Sequence, residues 1–154
     1  MTARINPYTH AALTQPLIDF ATSSAAASGL EHSLLDLVKI RASQINRCAI
    51  CLHMHSRDAR KAGETEMRVI MLSAWHESPL YSPRERAALG WTDALTRLAD
   101  HEVSDEAYAA IEAEFSEAER VALTIAIGTI NTFNRLGAGF RLGHAVSPAD
   151  RAAA

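Results

Sequence analysis

The chain has 154 residues, of which 48% are hydrophobic and 21% are charged, and its net charge is −3. These values are typical of one globular domain with a hydrophobic core. The charge gives no electrostatic basis for nucleic-acid binding, and the apolar stretches are shorter than the roughly 18–20 residues of a membrane span. We therefore expect a single domain over residues 1–154 that binds neither nucleic acid nor membranes. No secretory signal pattern is found, which favours a cytoplasmic location.

Four helices are predicted in the first half of the chain. Apolar residues recur at helical spacing in segments 16–28, 30–43, 47–62 and 64–77. Gly29 and Gly63 follow the first and third segments, as glycines that end helices do. Asn46 is a candidate N-cap for the third helix, and the dipeptide Ser78-Pro79 ends the fourth.

Each of three further predicted helices has a start signal. Ser82, Pro83 and Glu85 combine a capping serine, a proline at the first helical position and a glutamate at the third, and predict a helix running to about residue 100. Ser104 precedes two acidic residues that favour the first turn of a short sixth helix. A second capping box, formed by Ser116 and Glu119, opens a long apolar helix that runs to about residue 142. We expect the tail at 147–154 to fray.

These elements predict an all-α bundle of six to seven helices, with its core between about residues 16 and 142. No alternating strand pattern competes with this interpretation. The final helix is apolar on more than one face, so part of its surface is expected to be covered by a second subunit. Gly128, Gly137 and Gly139 lie within it, and close helix–helix contact is the expected reason. Asn131 and Asn134 are expected to anchor a loop or a subunit contact.

Cys48 and Cys51, the two cysteines of the chain, lie near the start of the third predicted helix. A disulfide that closes so small a loop restricts the unfolded chain little, so a redox-active or metal-binding role is favoured. Residues at i and i+3 project to the same side of a helix, which allows their sulfurs to approach bonding distance. The helix N-terminus favours thiolate, the form that attacks peroxides and disulfides. One sulfur can then attack while the other resolves the sulfenic acid into a disulfide.

His55 follows Cys51 by four residues, on the same face of the helix, where its imidazole can accept the thiol proton. His53 is out of phase and is expected to point elsewhere. Asp36 lies on the preceding helix, whose return across a short loop can bring its carboxylate near His55 and orient the imidazole. Cys51, Cys48, His55 and Asp36 are thus the predicted catalytic residues.

Several alternatives remain at this point. In the first of them, the two cysteines are simply small buried residues. His55 could equally be a solvated helix residue, and Asp36 an ordinary surface acid. Zinc is a sharper alternative, because two thiolates and His55 supply three ligands, and Asp36 or His53 a fourth. Structural zinc sites usually draw a second ligand pair from a separate turn, and the chain has none, so we expect no metal and no cofactor.

Segment 34–66, which reads LLDLVKIRASQINRCAICLHMHSRDARKAGETE, resembles the AhpD-like alkylhydroperoxidase family of the carboxymuconolactone decarboxylase superfamily. The segments 74–91 and 131–137 are also similar to that family. The family motif has an acidic residue, eleven positions, Cys-x-x-Cys, three positions and His. Asp36, Cys48, Cys51 and His55 match this spacing.

The resemblance implies an all-α fold, an assembly built from dimers, often as trimers or hexamers, and reduction of hydroperoxides with a dithiol partner that restores the cysteine pair. It implies that Cys51 is the peroxidatic thiol, Cys48 the resolving thiol and proton donor, and His55 the base. Helix-terminus electrostatics alone favour Cys48 as the more acidic thiol. Two residues depart from the pattern: Asp36 is one methylene shorter than the family glutamate, and Ile50 stands where the best-characterised members carry histidine.

Two other functions are compatible with the sequence. A redox sensor would form the disulfide without turnover. A lactone decarboxylase is implied by the superfamily name, although such enzymes lack the paired cysteines. The leading prediction is a peroxiredoxin-type alkylhydroperoxidase that uses a hydroperoxide substrate and a dithiol reductant or redox partner protein.

Overall fold

The computed structural model describes residues 2–146, within which the regular secondary structure is entirely helical and contains no strand. The α-helices are α1 (Ala11–Ala27), α2 (His32–Ile45), α3 (Ala49–Lys61), α4 (Glu66–Met71), α5 (Pro83–Thr96), α6 (Asp105–Glu114) and α7 (Glu117–Gly139). Short 3-10 helices lie at Pro7–Thr9 and Leu72–Ala74. The all-α prediction is confirmed.

The predicted N-terminal caps of the last three helices are all present. Ser82 accepts a hydrogen bond from the backbone N–H of Glu85, whose side chain accepts one from the N–H of Ser82. Ser116 and Glu119 form the same reciprocal pair at the start of α7. Ser104 caps α6 through the N–H of Ala107. Each cap satisfies donors that a helix start would otherwise leave free, which explains why these starts were predictable.

Helix α2 is the central element of the fold, and it packs against α3, α5 and α7. Nine of its fourteen residues are buried, including the charged Asp36 and Arg41. Its two sides contribute to two core clusters. One cluster joins α2 to α5, α6 and α7, and the other joins α2 to α3 and to the segment around Trp75.

Several predicted boundaries were wrong. Helix α1 begins at residue 11 rather than 16, and Pro16 lies inside it. The proline removes one hydrogen bond to the carbonyl of Ala12, and both residues are exposed, so water can replace the lost donor. Helix α5 ends at Thr96 rather than near residue 100, because Leu98 beyond it is 56% exposed and has no core to join.

The fourth predicted helix, at 64–77, is shorter and tighter than expected. It ends at Met71 and continues as the 3-10 turn Leu72–Ala74. Leu72 and Trp75 are both buried, and the three-residue repeat of a 3-10 helix keeps them on one side. The tail at 147–154, which was predicted to fray, lies outside the described residues. Within residues 2–146, no helix is long and apolar enough to cross a membrane.

Candidate functional site

The turn between α2 and α3 places Cys48 at the start of α3. Helix α2 ends at Ile45, and Arg47 adopts a left-handed conformation with φ of 55°. The backbone N–H of Cys48 donates to the carbonyl of Ser43 at 3.0 Å, which closes the end of α2. Cys48 is then the N-cap residue of α3, so the prediction that Asn46 caps this helix was wrong.

Asn46 instead ties this turn to α7 through a network of side-chain amides. Its Nδ2 donates to Oδ1 of Asn131 at 2.8 Å and to Oδ1 of Asn134 at 2.9 Å. Asn134 is 1% exposed, and its own Nδ2 donates to the hydroxyl of Ser43 at 3.0 Å. The prediction that the two asparagines of α7 anchor a loop is confirmed, and the anchored loop is the one that leads into the cysteine pair.

Cys48 and Cys51 are joined by a disulfide, with their Cα atoms 5.4 Å apart. The predicted approach of the two sulfurs is confirmed. Cys48 is fully buried, and Cys51 is 5% exposed. Both sulfurs press against α7 at Gly137, where an added Cβ would lie 2.6 Å from Sγ of Cys48 and 3.3 Å from Sγ of Cys51. The close helix contact expected for Gly137 is confirmed, whereas Gly128 and Gly139 have no described neighbour of this kind within 4 Å.

A cavity of about 650 Å³ lies beside the disulfide, enclosed by α1, α2, α3 and α7. Cys51 lines it and Cys48 does not, so the two sulfurs differ in access. His55 lines the same cavity one helical turn beyond Cys51. Most of the remaining wall is apolar, for example Ile50 and Phe133. An organic molecule that entered the cavity would therefore meet one cysteine sulfur and one imidazole.

The imidazole of His55 is uncharged near neutral pH. Burial, followed by the nearby ammonium of Lys39, lowers the pKa of His55 from 6.5 to about 4, and the carboxylate of Asp58 opposes this to a lesser extent. A neutral imidazole has a free ring nitrogen that can accept a proton or a hydrogen bond. The ring therefore starts in the protonation state that a general base requires.

Asp36 is buried, at 4% exposure, and is not among the described residues that line the cavity. Its Oδ1 is 3.6 Å from Nζ of Lys39, and its Oδ2 is 3.1 Å from Nδ1 of His32, without hydrogen-bonding geometry at Oδ2. Among the described residues, Asp36 makes no hydrogen bond to His55. Asp36 and His55 are instead connected electrostatically through Lys39, which affects both groups.

His53 points away from the site, as its phase on the helix predicted. Its ring stacks on that of His144, with centroids 4.7 Å apart, above a separate surface groove on the outer side of α3. Over the described part of the chain, no three His, Cys, Asp or Glu side chains are grouped so that they could hold a metal ion.

Two residues of the candidate site were missed by sequence reasoning. Lys39 lies one turn after Asp36 on α2 and lines the cavity. Its position three residues from a candidate acid was the available signal, because residues at i and i+3 share a helix face. Asn46 was assigned a capping role although its side chain acts over a long range in sequence, and no local pattern indicates that.

Comparison with known proteins places the chain in a family. Residues 11–94 match the model of the carboxymuconolactone decarboxylase family. The uncharacterised protein YdfG of Bacillus subtilis is 42% identical over 109 residues, which cover 71% of this chain and 74% of YdfG.

Solved structures agree with this assignment. A crystal structure from Agrobacterium tumefaciens, of a protein of unknown function proposed to be the antioxidant defence protein AhpD, superposes with a TM-score of 0.91 at 40% identity. The match covers 95% of this chain and all of that one. The debrominase Bmp8 shares the fold at 19% identity, with a TM-score of 0.78 over 94% of this chain and 76% of its own. The chain belongs to the carboxymuconolactone decarboxylase family, and within it to the AhpD-like proteins.

Proposed function

We propose that the protein is a thiol-dependent alkylhydroperoxidase in which Cys51 is the peroxidatic thiol and Cys48 the resolving thiol. The observation that carries this proposal is the unequal placement of the two sulfurs. Cys51 lines an apolar cavity beside His55, whereas Cys48 is fully buried behind it and bonded to Cys51. A substrate in the cavity can reach the first sulfur, and the resulting sulfenic acid lies next to the second.

The reaction runs in three balanced steps. The thiolate of Cys51 attacks the terminal oxygen of a hydroperoxide, the O–O bond breaks, and the released alkoxide takes a proton to leave as an alcohol while Cys51 becomes a sulfenic acid. The thiol of Cys48 then attacks this sulfur and expels water, which forms the disulfide. A dithiol reductant finally exchanges with the disulfide, becomes oxidised itself, and restores both thiols.

His55 would move the proton in the first step. Its neutral ring can accept the proton of the Cys51 thiol, and the imidazolium formed can be stabilised by the thiolate beside it. The same proton can then pass to the leaving alkoxide. Asp36 would act indirectly, because its carboxylate lies 3.6 Å from the ammonium of Lys39 and so holds that charge near His55. In this proposal Asp36 is a positioning residue.

The decisive experiment follows peroxide consumption with dithiothreitol as the reductant and cumene hydroperoxide as the substrate. Cys51→Ser is expected to abolish turnover. Cys48→Ser is expected to retain one round of sulfenic acid formation at Cys51, detectable by trapping with dimedone and mass spectrometry. Sulfenic acid trapped on Cys48 rather than Cys51 would contradict the assignment of the two thiols.

The histidine is tested with a matched pair of variants on one helix. His55→Asn is expected to lower the rate by about a hundredfold or more, as for other general bases. His53→Asn, on the opposite side of α3, is the control and is expected to leave the rate near that of the wild type. A wild-type protein that forms the disulfide once with peroxide but shows no steady-state turnover would instead be a redox sensor.

We also propose that the protein assembles as a homo-oligomer. Large apolar side chains are strongly exposed on several helices, among them Leu13 at 79% and Phe20 at 51% on α1, Met67 at 58% and Ile70 at 57% on α4, and Val121 at 56% on α7. Leu13 and Phe20 are seven residues apart and therefore share one face of α1, and contiguous exposed apolar patches commonly mark protein–protein interfaces. Light scattering coupled to gel filtration would show a mass above 16.7 kDa, whereas a monomer at all concentrations would contradict the proposal.

A further inference from the structure

The cavity beside Cys51 contains a single fixed charge. Among the described residues that line it, Lys39 is the only Lys, Arg, Asp or Glu, and His55 is neutral because of its lowered pKa. The other polar groups of the wall are hydroxyls, such as those of Thr22 and Thr129. A ligand in this cavity would therefore encounter apolar surface and one ammonium, which Asp36 pairs with at 3.6 Å from outside the lining.

The ammonium of Lys39 has donors to spare. Within residues 2–146 it makes no hydrogen bond, and its nearest carboxylate oxygen, Oδ1 of Asp36, is 3.6 Å away. The side chain is 26% exposed, so the ammonium is partly removed from water. Lysine carries three donors, and a partly buried ammonium gains from contact with an anion more than an exposed one does.

We propose that the preferred substrate is an amphipathic organic hydroperoxide with an anionic group, such as a carboxylate, and that Lys39 binds this group. The apolar part of the substrate occupies the wall formed by α1 and α7, and the hydroperoxide reaches Cys51. Binding an apolar body with a few placed polar contacts is the usual way in which such cavities select ligands. This inference rests on the proposed function for its chemistry, but the charge preference can be measured separately.

The test compares linoleic acid hydroperoxide with its methyl ester, which differ in charge but share the chain and the hydroperoxide. The wild-type protein is expected to favour the acid by about tenfold in kcat/KM, equivalent to about 1.4 kcal/mol. Lys39→Met is expected to bring the ratio close to one, and Lys39→Arg to retain the preference. If Lys39→Met fails to fold because it leaves the buried Asp36 without its partner, the double variant Asp36→Asn with Lys39→Met, which removes both charges, is used in its place.

The ratio separates two roles of Lys39. A change in the pKa of His55 would alter both substrates equally and leave the acid-to-ester ratio unchanged. A wild-type ratio near one, a preference that survives Lys39→Met, or an equal loss for both substrates would each overturn the proposal.

A binding experiment covers the case in which neither hydroperoxide is turned over and the proposed function itself has failed. Octanoate and octan-1-ol are titrated into the oxidised protein, with binding followed by NMR chemical-shift changes around the cavity. Octanoate is expected to bind about tenfold more tightly, and this difference is expected to vanish in Lys39→Met. Equal affinities of the wild type for both compounds would overturn the charge preference independently of catalysis.

Discussion

Replacing Gly137 by alanine tests the tightest contact in the site. The added Cβ would lie 2.6 Å from Sγ of Cys48 and 3.0 Å from Cγ2 of Ile50, against an optimal separation of about 3.5–4.0 Å for such atoms. Helix α7 or the cysteine turn must then move by roughly 1 Å. Overpacking of this kind costs about 1–3 kcal/mol, and the better helix propensity of alanine returns up to about 1 kcal/mol.

For Gly137→Ala we therefore expect the free energy of unfolding to fall by about 1–2 kcal/mol, which lowers Tm by roughly 2–8 °C for a protein of this size. Gly128→Ala is the matched control, because it lies in the same helix and its Cβ would meet nothing within 4 Å. It is expected to raise Tm by about 1–4 °C, since only the propensity gain remains. Both are compared with the wild type by calorimetry at one protein concentration, with the disulfide formed.

The redox state supplies a second comparison. Once the disulfide is reduced, each thiol can change its rotamer and move away from the new methyl group. The difference in Tm between Gly137→Ala and the wild type should therefore become smaller. A Gly137→Ala protein as stable as Gly128→Ala in the oxidised state would refute the reasoning.

Three further predictions concern the surroundings of the site. The pKa of His55 is about 4 in the folded protein and 6.5 in the unfolded chain. Between these pH values the unfolded chain holds more protons, so the stability of the fold decreases as the pH drops through this window. The loss is at most roughly 3 kcal/mol, and urea titrations at a series of pH values should show a flatter profile for His55→Asn. Asn134→Ala leaves the buried hydroxyl of Ser43 without its donor and is expected to lower the free energy of unfolding by about 1–3 kcal/mol, while an unchanged value would show that the amide network is unimportant. Asp93→Ala removes the carboxylate that accepts two hydrogen bonds, of 2.5 and 2.7 Å, from Arg41. It is expected to lower the free energy of unfolding by about 3 kcal/mol in the same assay, and a decrease below about 0.5 kcal/mol would contradict this expectation.

The helical elements were predictable where the determinant is local. The capping boxes at Ser82 and Ser116 involve residues three apart, and both helices begin where the sequence indicates. The first helix was predicted over 16–28 from the spacing of its apolar residues, whereas α1 begins at residue 11. The structure tolerates Pro16 inside the helix because the carbonyl that loses its donor is exposed to water.

The candidate site shows the same difference between features set by local sequence and features set by tertiary packing. The role predicted for Asp36 assumed that adjacency of α2 and α3 would bring its carboxylate to His55. The two helices do pack together, but the carboxylate of Asp36 pairs with the ammonium of Lys39 instead of contacting His55. Side-chain choices of this kind depend on how two helices are rotated against each other, which periodicity does not specify.

From the sequence alone, the placement of Cys51 and His55 one turn apart was determined, because both lie within one helix whose rise and turn per residue are constant, and Cys48 directly precedes that helix as its N-cap. Only the tertiary structure decided which sulfur faces a cavity, why α7 carries a glycine at position 137, and why the imidazole is neutral. These properties arise from the burial that α1, α2 and α7 impose on α3. Burial is produced by residues up to about a hundred positions apart, so it exists only once the chain is packed.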